Sequence, residues 1–220
     1  MAEKQSPENK NLTVLVSSTV YGYENLLDRI YTLLTQFGFE VWMSHKGTMP
    51  VFSDRSAFEN CIAATEKCDL FLGIITPRYG SGVDGKSGLS ITHRELKKAI
   101  ELRKPRWLLV HDYVPASRLL LNALGYEEKT GRKKLTLDKH CPVIDDLRLI
   151  DMYEEAILSA IQSPEDRKGN WVQKYSSPED AMLFATAQFS RYLEVEEFIK
   201  ENFRDPEHIS RRIHDTEGRS

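Results

Sequence analysis

Ser17, Ser18 and Thr19 form a run of three hydroxyls that begins where the apolar segment Leu12–Val16 ends. Hydroxyls and backbone N–H groups in such a loop hold a phosphate or a ribose, or they serve only to cap the helix that follows. Arg78 and Tyr79 follow a second apolar segment. The guanidinium suits a phosphate and the ring suits stacking on a base; the plainer readings are a solvated charge and a packed aromatic. His93 can move a proton near neutral pH, although a lone histidine is more often structural or exposed. Glu95 lies near the start of an amphipathic helical segment, where an acid also complements the helix dipole.

A fifth feature fits a phosphate-loop pattern. Gly80-Ser-Gly-Val-Asp-Gly85-Lys86-Ser87 matches GxxxxGK[ST], and Trp107 to Asp112 resembles a magnesium-binding strand. Such a loop cradles phosphates with backbone N–H groups, sets the lysine on the terminal phosphates and the serine on magnesium. Its surroundings differ from that design. Thr76-Pro77-Arg78-Tyr79 separates it from the strand, and Gly88 and Ser90 delay the helix that should begin at Lys86-Ser87. The plainer reading is a Gly/Ser hairpin over the mouth of a site.

Composition narrows the classes. The chain has 220 residues, 40% hydrophobic and 29% charged, with a formal net charge of −3. That is ordinary for a globular protein able to bury a sizeable core. No global basic field favours nucleic acid. No apolar run reaches the length of a membrane span, and residues 1–11 lack the apolar core of a secretion signal. Cys61, Cys68 and Cys141 form an odd set without CxxC spacing, which argues against a zinc site or a disulfide framework. Cytoplasmic localisation is expected, with no membrane partner and no nucleic acid.

The elements that must position these residues alternate. Leu12–Val16 reads as a strand, and Tyr23–Phe37 as a helix with Leu26, Leu27, Ile30, Leu33, Leu34 and Phe37 on one face, stopped by Gly38. Phe39–Met43 alternates as a second strand. Ser53 is expected to cap a helix to Lys67 with Phe58, Ile62 and Thr65 inward. Asp69–Thr76 is a continuous apolar strand opened by Asp69, which reads as a cap; Ile91–Ile100 is a helix and Trp107–Val110 a fourth strand. Trp42 reads as core, with the pocket border as the other option.

Alternation with short connections implies a parallel sheet of about five strands with helices on both faces, in flavodoxin-like order 2-1-3-4-5. Such sheets bind ligands at the carboxyl ends of their strands. Beyond this, Ala116–Leu124 reads as a helix ending at Gly125, Leu147–Ile150 as the fifth strand, Met152–Ile161 as a helix and Ser163–Tyr175 as a polar connector. Ser177-Pro178-Glu179-Asp180 starts a helix that is expected to run to about Phe203, with Phe184, Phe189, Tyr192, Val195 and Ile199 apolar. The expected organisation is a disordered leader (1–11), an α/β domain (12–162), a C-terminal helical extension (163–205) and a flexible tail (206–220).

Four blocks in order, Val16–Tyr21, Cys68–Ile75, Arg78-Tyr79-Gly80 and Ile91–Glu95 with Lys104-Pro105, resemble an uncharacterised TIR-like family over residues 12–112. Its members often stand at the N-terminus of large signalling NTPases of the STAND class. Residues 113–220 are unlike those usual partners. The family resembles TIR domains and nucleoside deoxyribosyltransferases, which place a glutamate on the helix after a strand. Thr92-His-Arg-Glu95 matches the Thr-x-x-Glu-like setting of the transferases, and Arg103-Lys104-Pro105 their Gly-Lys-Pro turn.

The resemblance implies cleavage of an N-glycosidic bond, NAD+ being the leading substrate, with Glu95 stabilising or attacking the ribosyl cation. It assigns substrate contacts to Ser17, Ser18, Thr19, Arg78, Tyr79, Thr92 and His93. No cofactor or metal is implied beyond NAD+ as substrate. Bacterial antiviral defence signalling, a homo-oligomer and a partner protein from a signalling operon are further implications. A non-catalytic self-association module and a phosphate-loop nucleotide binder are the alternatives.

Overall fold

The computed structural model describes residues 11–80, 82, 83, 85, 88–138, 141–169 and 171–191. Residues 1–10, the tail 206–220 and Tyr192, Val195 and Ile199 of the expected last helix lie outside the described residues, as do Lys86 and Ser87.

The chain runs β1 (Thr13–Ser18), α1 (Glu24–Gln36), β2 (Glu40–Trp42), α2 (Ala57–Lys67), β3 (Leu70–Ile75), α3 (Ile91–Glu101), β4 (Arg106–His111), α4 (Tyr113–Ala123), α5 (Lys129–Arg132), α6 (Arg148–Ala156), a 3₁₀ turn (Pro164–Asp166), β5 (Val172–Tyr175) and α7 (Pro178–Phe189). The five strands form one parallel sheet in the order β2-β1-β3-β4-β5. This is a flavodoxin-like α/β fold.

Period-two alternation assigns the two faces. Val14, Val16, Leu70, Leu72, Ile74 and Leu109 join Leu26, Leu27, Ile30 and Leu34 of α1 and Ala181, Phe184, Ala185 and Phe189 of α7. Leu15, Phe71, Ile75, Leu108 and Val110 face the other way, against Cys61 and Ala64 of α2, Leu96 and Ala99 of α3, Val114 of α4 and Leu149, Ile150, Met152 and Ala156 of α6. Gly73 is small for a packing reason: a Cβ there would lie 2.7 Å from Leu108 Cδ2.

The end of the sheet away from the site is clamped. Asp69 accepts from Thr13 N–H at 2.9 Å and from its hydroxyl at 3.0 Å, and the Thr13 hydroxyl accepts from Asp69 N–H at 2.9 Å. Asp69 therefore ties β3 to β1 and sits far from the ligand end, as its position at the strand start implied. The Lys104 amine donates to the carbonyls of Glu66 and Cys68 at 2.7 and 2.6 Å, where a cation suits the carboxyl end of α2.

Six expectations need correction. The helix expected over Met152–Ile161 ends at Ala156, and the helix expected to run to about Phe203 ends at Phe189 with Ser190 as its C-cap. Leu147–Ile150 is not a strand: Arg148–Ile150 opens α6, whose buried Leu149, Ile150, Met152 and Ala156 follow helical spacing. The fifth strand is Val172–Tyr175, from the stretch expected as a polar connector; it is an edge strand with Gln173 and Lys174 exposed, so it shows little apolar alternation. Ser56, not Ser53, caps α2 through a reciprocal box with Glu59, and the buried residues are Asn60, Cys61, Ala63, Ala64 and, as expected, Thr65, with Phe58 and Ile62 only half-buried. The helix after β4 begins at Tyr113, three residues before Ala116. Ser177 and Pro178 do start α7, with a capping box to Asp180.

Candidate active site

β1 and β3 end side by side, and the loops that leave them wall a cavity of about 930 Å³. Alternation along β1 places Ser17 on the same face as Leu15, toward α2 and α3. There its hydroxyl meets Glu95 Oε2 at 2.5 Å. Both residues are buried, Glu95 with 5% of its surface exposed, and both line the cavity. Glu95 sits one turn into α3, on the buried stripe with Thr92 and Leu96.

Cys61 of α2 completes the floor. Its buried thiol neighbours the Glu95 carboxyl and favours the charged form of that carboxyl. Burial outweighs these two neutral donors and pushes Glu95 up to about 7. Burial and the neighbouring carboxylate push the Cys61 thiol up to about 12, so it remains a protonated donor. The floor is thus a carboxyl poised between its two forms near neutral pH, held by a hydroxyl and a thiol.

The walls come from three loops. The hydroxyl loop contributes Ser18 and Thr19, and its tip carries Tyr21, 81% exposed at the mouth. The β2–α2 loop contributes Met49 and Val51. Asn60 holds that loop in place, accepting from Phe52 N–H at 2.7 Å and donating to the carbonyls of Phe52, Arg55 and Ser56. From the β3–α3 loop come Arg78 and Gly80. Gly80 has φ +93° and a Cβ on it would approach Thr19 Oγ1 to 3.1 Å, so the two loops close against each other only with glycine there.

Arg78 is set by its neighbours rather than by an ion pair. Thr76 Oγ1 donates to the Arg78 carbonyl at 3.0 Å and accepts from its N–H at 3.1 Å. Asp145 braces the same turn, accepting from Tyr79 N–H at 2.8 Å and donating its own N–H to the Pro77 carbonyl at 3.2 Å.

Of the residues expected at the site, Ser17, Ser18, Thr19, Arg78, Thr92 and Glu95 line one cavity. Tyr79 and His93 do not. They form a separate buried couple behind it, Tyr79 Oη to His93 Nδ1 at 2.8 Å and His93 Nε2 to Glu155 Oε2 at 3.1 Å. The Tyr79 hydroxyl also accepts from Ser90 N–H at 3.3 Å, and the Arg148 guanidinium covers its ring at 4.4 Å. A base cannot stack on that ring, and His93, fully buried and bonded at both ring nitrogens, is not free to meet a ligand. The couple fixes the start of α3, and with it Glu95. Trp42 packs in the core and does not line the cavity.

Cys61, Asp145, Met49 and Tyr21 were not singled out in the sequence. Cys61 had a signal, one helical turn before Thr65 on the inward face of α2. Asp145 had none, because its approach depends on the long return from β4 to α6. The Gly/Ser loop folds back on itself: Val83 and Ser90 form an antiparallel bridge, and Ile91 N–H donates to the Gly82 carbonyl at 2.9 Å. Ser90, whose hydroxyl accepts from His93 N–H, is the residue that caps α3. The helix thus begins beyond Lys86 and Ser87. Among the described residues no group of three or more His, Cys, Asp or Glu can hold a metal, and no helix is long and apolar enough to cross a membrane.

A doubly wound parallel sheet with a buried carboxyl at the floor of a cavity, at the carboxyl ends of adjacent strands, defines a flavodoxin-like protein with a cavity in the place where that fold binds ligands. The sequence model of the family described as domain of unknown function DUF4062 matches residues 13–137, more than half of the chain. The protein belongs to that family, whose matched stretch carries every residue named at the cavity except Asp145. No curated protein matches the sequence.

Proposed function

We propose that the cavity binds a nucleotide and that Glu95 acts on its N-glycosidic bond, NAD+ being the leading substrate. The observation that carries this reading is the Ser17–Glu95 contact at 2.5 Å, buried at the floor of an open cavity of about 930 Å³. A helix-start acid serving only the dipole faces water; this one is buried against two neutral donors and looks into the cavity. The volume lies in the upper part of the range of about 300–1,000 Å³ usual for small-molecule sites. Arg78 supplies a cation for phosphate, and Tyr21 offers at the mouth the aromatic face that Tyr79 does not.

The chemistry is balanced without a second acid. The C1′–N bond breaks and its electron pair goes to the nicotinamide nitrogen, which leaves neutral because it was cationic. The ionised Glu95 carboxylate stabilises the ribosyl cation, or traps it as an ester. Water then adds to C1′ and gives its proton to the carboxylate, yielding ADP-ribose; attack by a group of the same molecule gives a cyclised product. A neutral nucleoside would need a proton delivered to its base. Asp145 is the other carboxylate lining the cavity among the described residues, and it is engaged with Tyr79 N–H. This favours a substrate whose leaving base carries its own positive charge.

The test is mass spectrometry of NAD+ and nucleosides incubated with the wild type and with Glu95→Gln over a range of protein concentrations. Release of nicotinamide by the wild type and its loss in the variant, with the fold intact, supports the reading. No product from any substrate at any concentration overturns it.

A further inference from the structure

α4 has the surface of a buried helix on a face that no other described residue covers. At 100° per residue, Tyr113, Ala116, Leu119, Leu120, Ala123 and Leu124 fall in one arc of about 140°. All six are exposed, Leu119, Leu120 and Leu124 by 63%, 61% and 62%. The inward side is already occupied: Val114 and Pro115 are buried, and Arg118 turns toward α6 to meet Glu154 Oε1 at 2.9 Å. No charged residue lies on the outer arc, in a chain that is 29% charged. A wide apolar arc facing outward from a helix whose inward side is already packed calls for a partner.

We propose that this face of α4 pairs with the same face of a second copy, around a two-fold axis, to form a dimer. Charge selects this occupant. A two-fold contact sets each residue near its own counterpart or near a residue of the same face, so any unpaired charge there would meet its like. This face has none. Size agrees as well. The exposed arc offers on the order of 500 Å² per protomer, so a pair buries about 1,000 Å², the lower bound for a specific interface. Ala116 and Ala123 between the leucines allow the close interaxial approach of about 8–10 Å that packed helices need. The face stands apart from the cavity, and the inference does not depend on the nucleotide reading.

The experiment is sedimentation of the full chain across a wide concentration range, wild type beside Leu120→Glu/Leu124→Glu. Both positions are exposed, so the variant keeps its fold, which far-UV circular dichroism verifies. The wild type is expected to be a dimer, and the two glutamates on each copy to raise the dissociation constant by about 100-fold or more. As a second readout, Leu120→Cys is expected to give a disulfide-linked dimer under mild oxidation. A wild type that stays monomeric at every concentration overturns the proposal. So does a dimer that survives both glutamates, because it then uses another surface.

Discussion

The Ser17 hydroxyl and the Glu95 carboxylate, 78 positions apart in the chain, lie 2.5 Å from each other at the meeting of β1 and α3. The contact joins the end of β1 to the first turns of α3 at the floor of the cavity, and it fixes one carboxylate oxygen, with the protonated Cys61 thiol as the neighbouring group. Its consequences are measurable in stability and, under the proposed function, in turnover.

Glu95 is raised from 4.5 to about 7 by burial. The folded protein therefore keeps a proton that the unfolded chain releases between these values. Stability from this group is complete below about pH 4.5 and is lost as pH rises to about 7, a loss of about 3 kcal/mol. Glu95→Gln is expected to remove that slope, so that urea denaturation finds it more stable than the wild type at pH 8 and little different at pH 4.5. Under the proposed function turnover runs the other way: a reaction that uses the carboxylate is expected to rise with pH through about 7. Ser17→Ala removes a donor that favours the charged form, so the rise moves to higher pH. Pre-steady-state rates against pH check both statements. A turnover profile without an ionisation near neutrality contradicts the assignment to Glu95.

Tyr21 and Tyr79 separate a ligand role from a structural one. Tyr21→Ala is expected to weaken NAD+ binding about 10-fold, the lower part of the 1–3 kcal/mol range for stacking on a base, with little change in stability. Tyr79→Phe leaves His93 Nδ1 and Ser90 N–H without their partner in a buried setting, which is expected to reduce stability by about 1–3 kcal/mol. Calorimetric titration and chemical denaturation on the two variants give the comparison. Unchanged affinity in Tyr21→Ala removes that residue from the site.

β5 and α7 complete the sheet and one of its two cores, so residues 163–191 are expected to be indispensable to folding. Phe189 packs edge-on to Phe39 at 5.5 Å and tilted against Trp107 at 5.0 Å, fully buried. Phe189→Ala is expected to cost about 3–5 kcal/mol. A chain ending at residue 162 leaves the β4 edge unpaired and is expected to be insoluble or unfolded. Solubility and far-UV circular dichroism decide it. A folded, soluble product would show that residues 12–162 stand alone.

Much of this architecture was readable because the first four strands are buried on both faces. Continuous apolar runs such as Leu70–Ile75, six residues long and closed by Thr76-Pro77, suit a strand buried on both faces better than a helix. Helix α1 declares itself by spacing and Gly38. The second half hides its elements. β5 is an edge strand of four residues whose middle two are exposed, and Leu147-Arg-Leu-Ile150 is short enough to suit a strand or a helix until tertiary contacts decide. At the site, Glu95 and Ser17 could be paired in thought because strand ends and helix starts meet at one end of a parallel sheet. That Tyr79 turns away from the cavity could not be read, since its orientation depends on Arg148, Asp145 and Glu155, brought in from α6 and the segment leading to it.

The sheet is also completed out of sequence. β4 ends at His111 and its partner β5 begins only at Val172, yet the two pair from Leu108 to Tyr175. At synthesis rates of about 5–20 residues per second, roughly 3–12 s separate their emergence. For that interval the nascent chain carries a core strand, Leu108-Leu109-Val110, with one edge bare and half its covering helix pair unmade. Such an edge is a template for wrong pairing. The strand that closes the sheet thus delays completion of the fold until β5 and α7 have emerged, and the yield is expected to depend on how fast α7 docks as well as on how stable the finished molecule is.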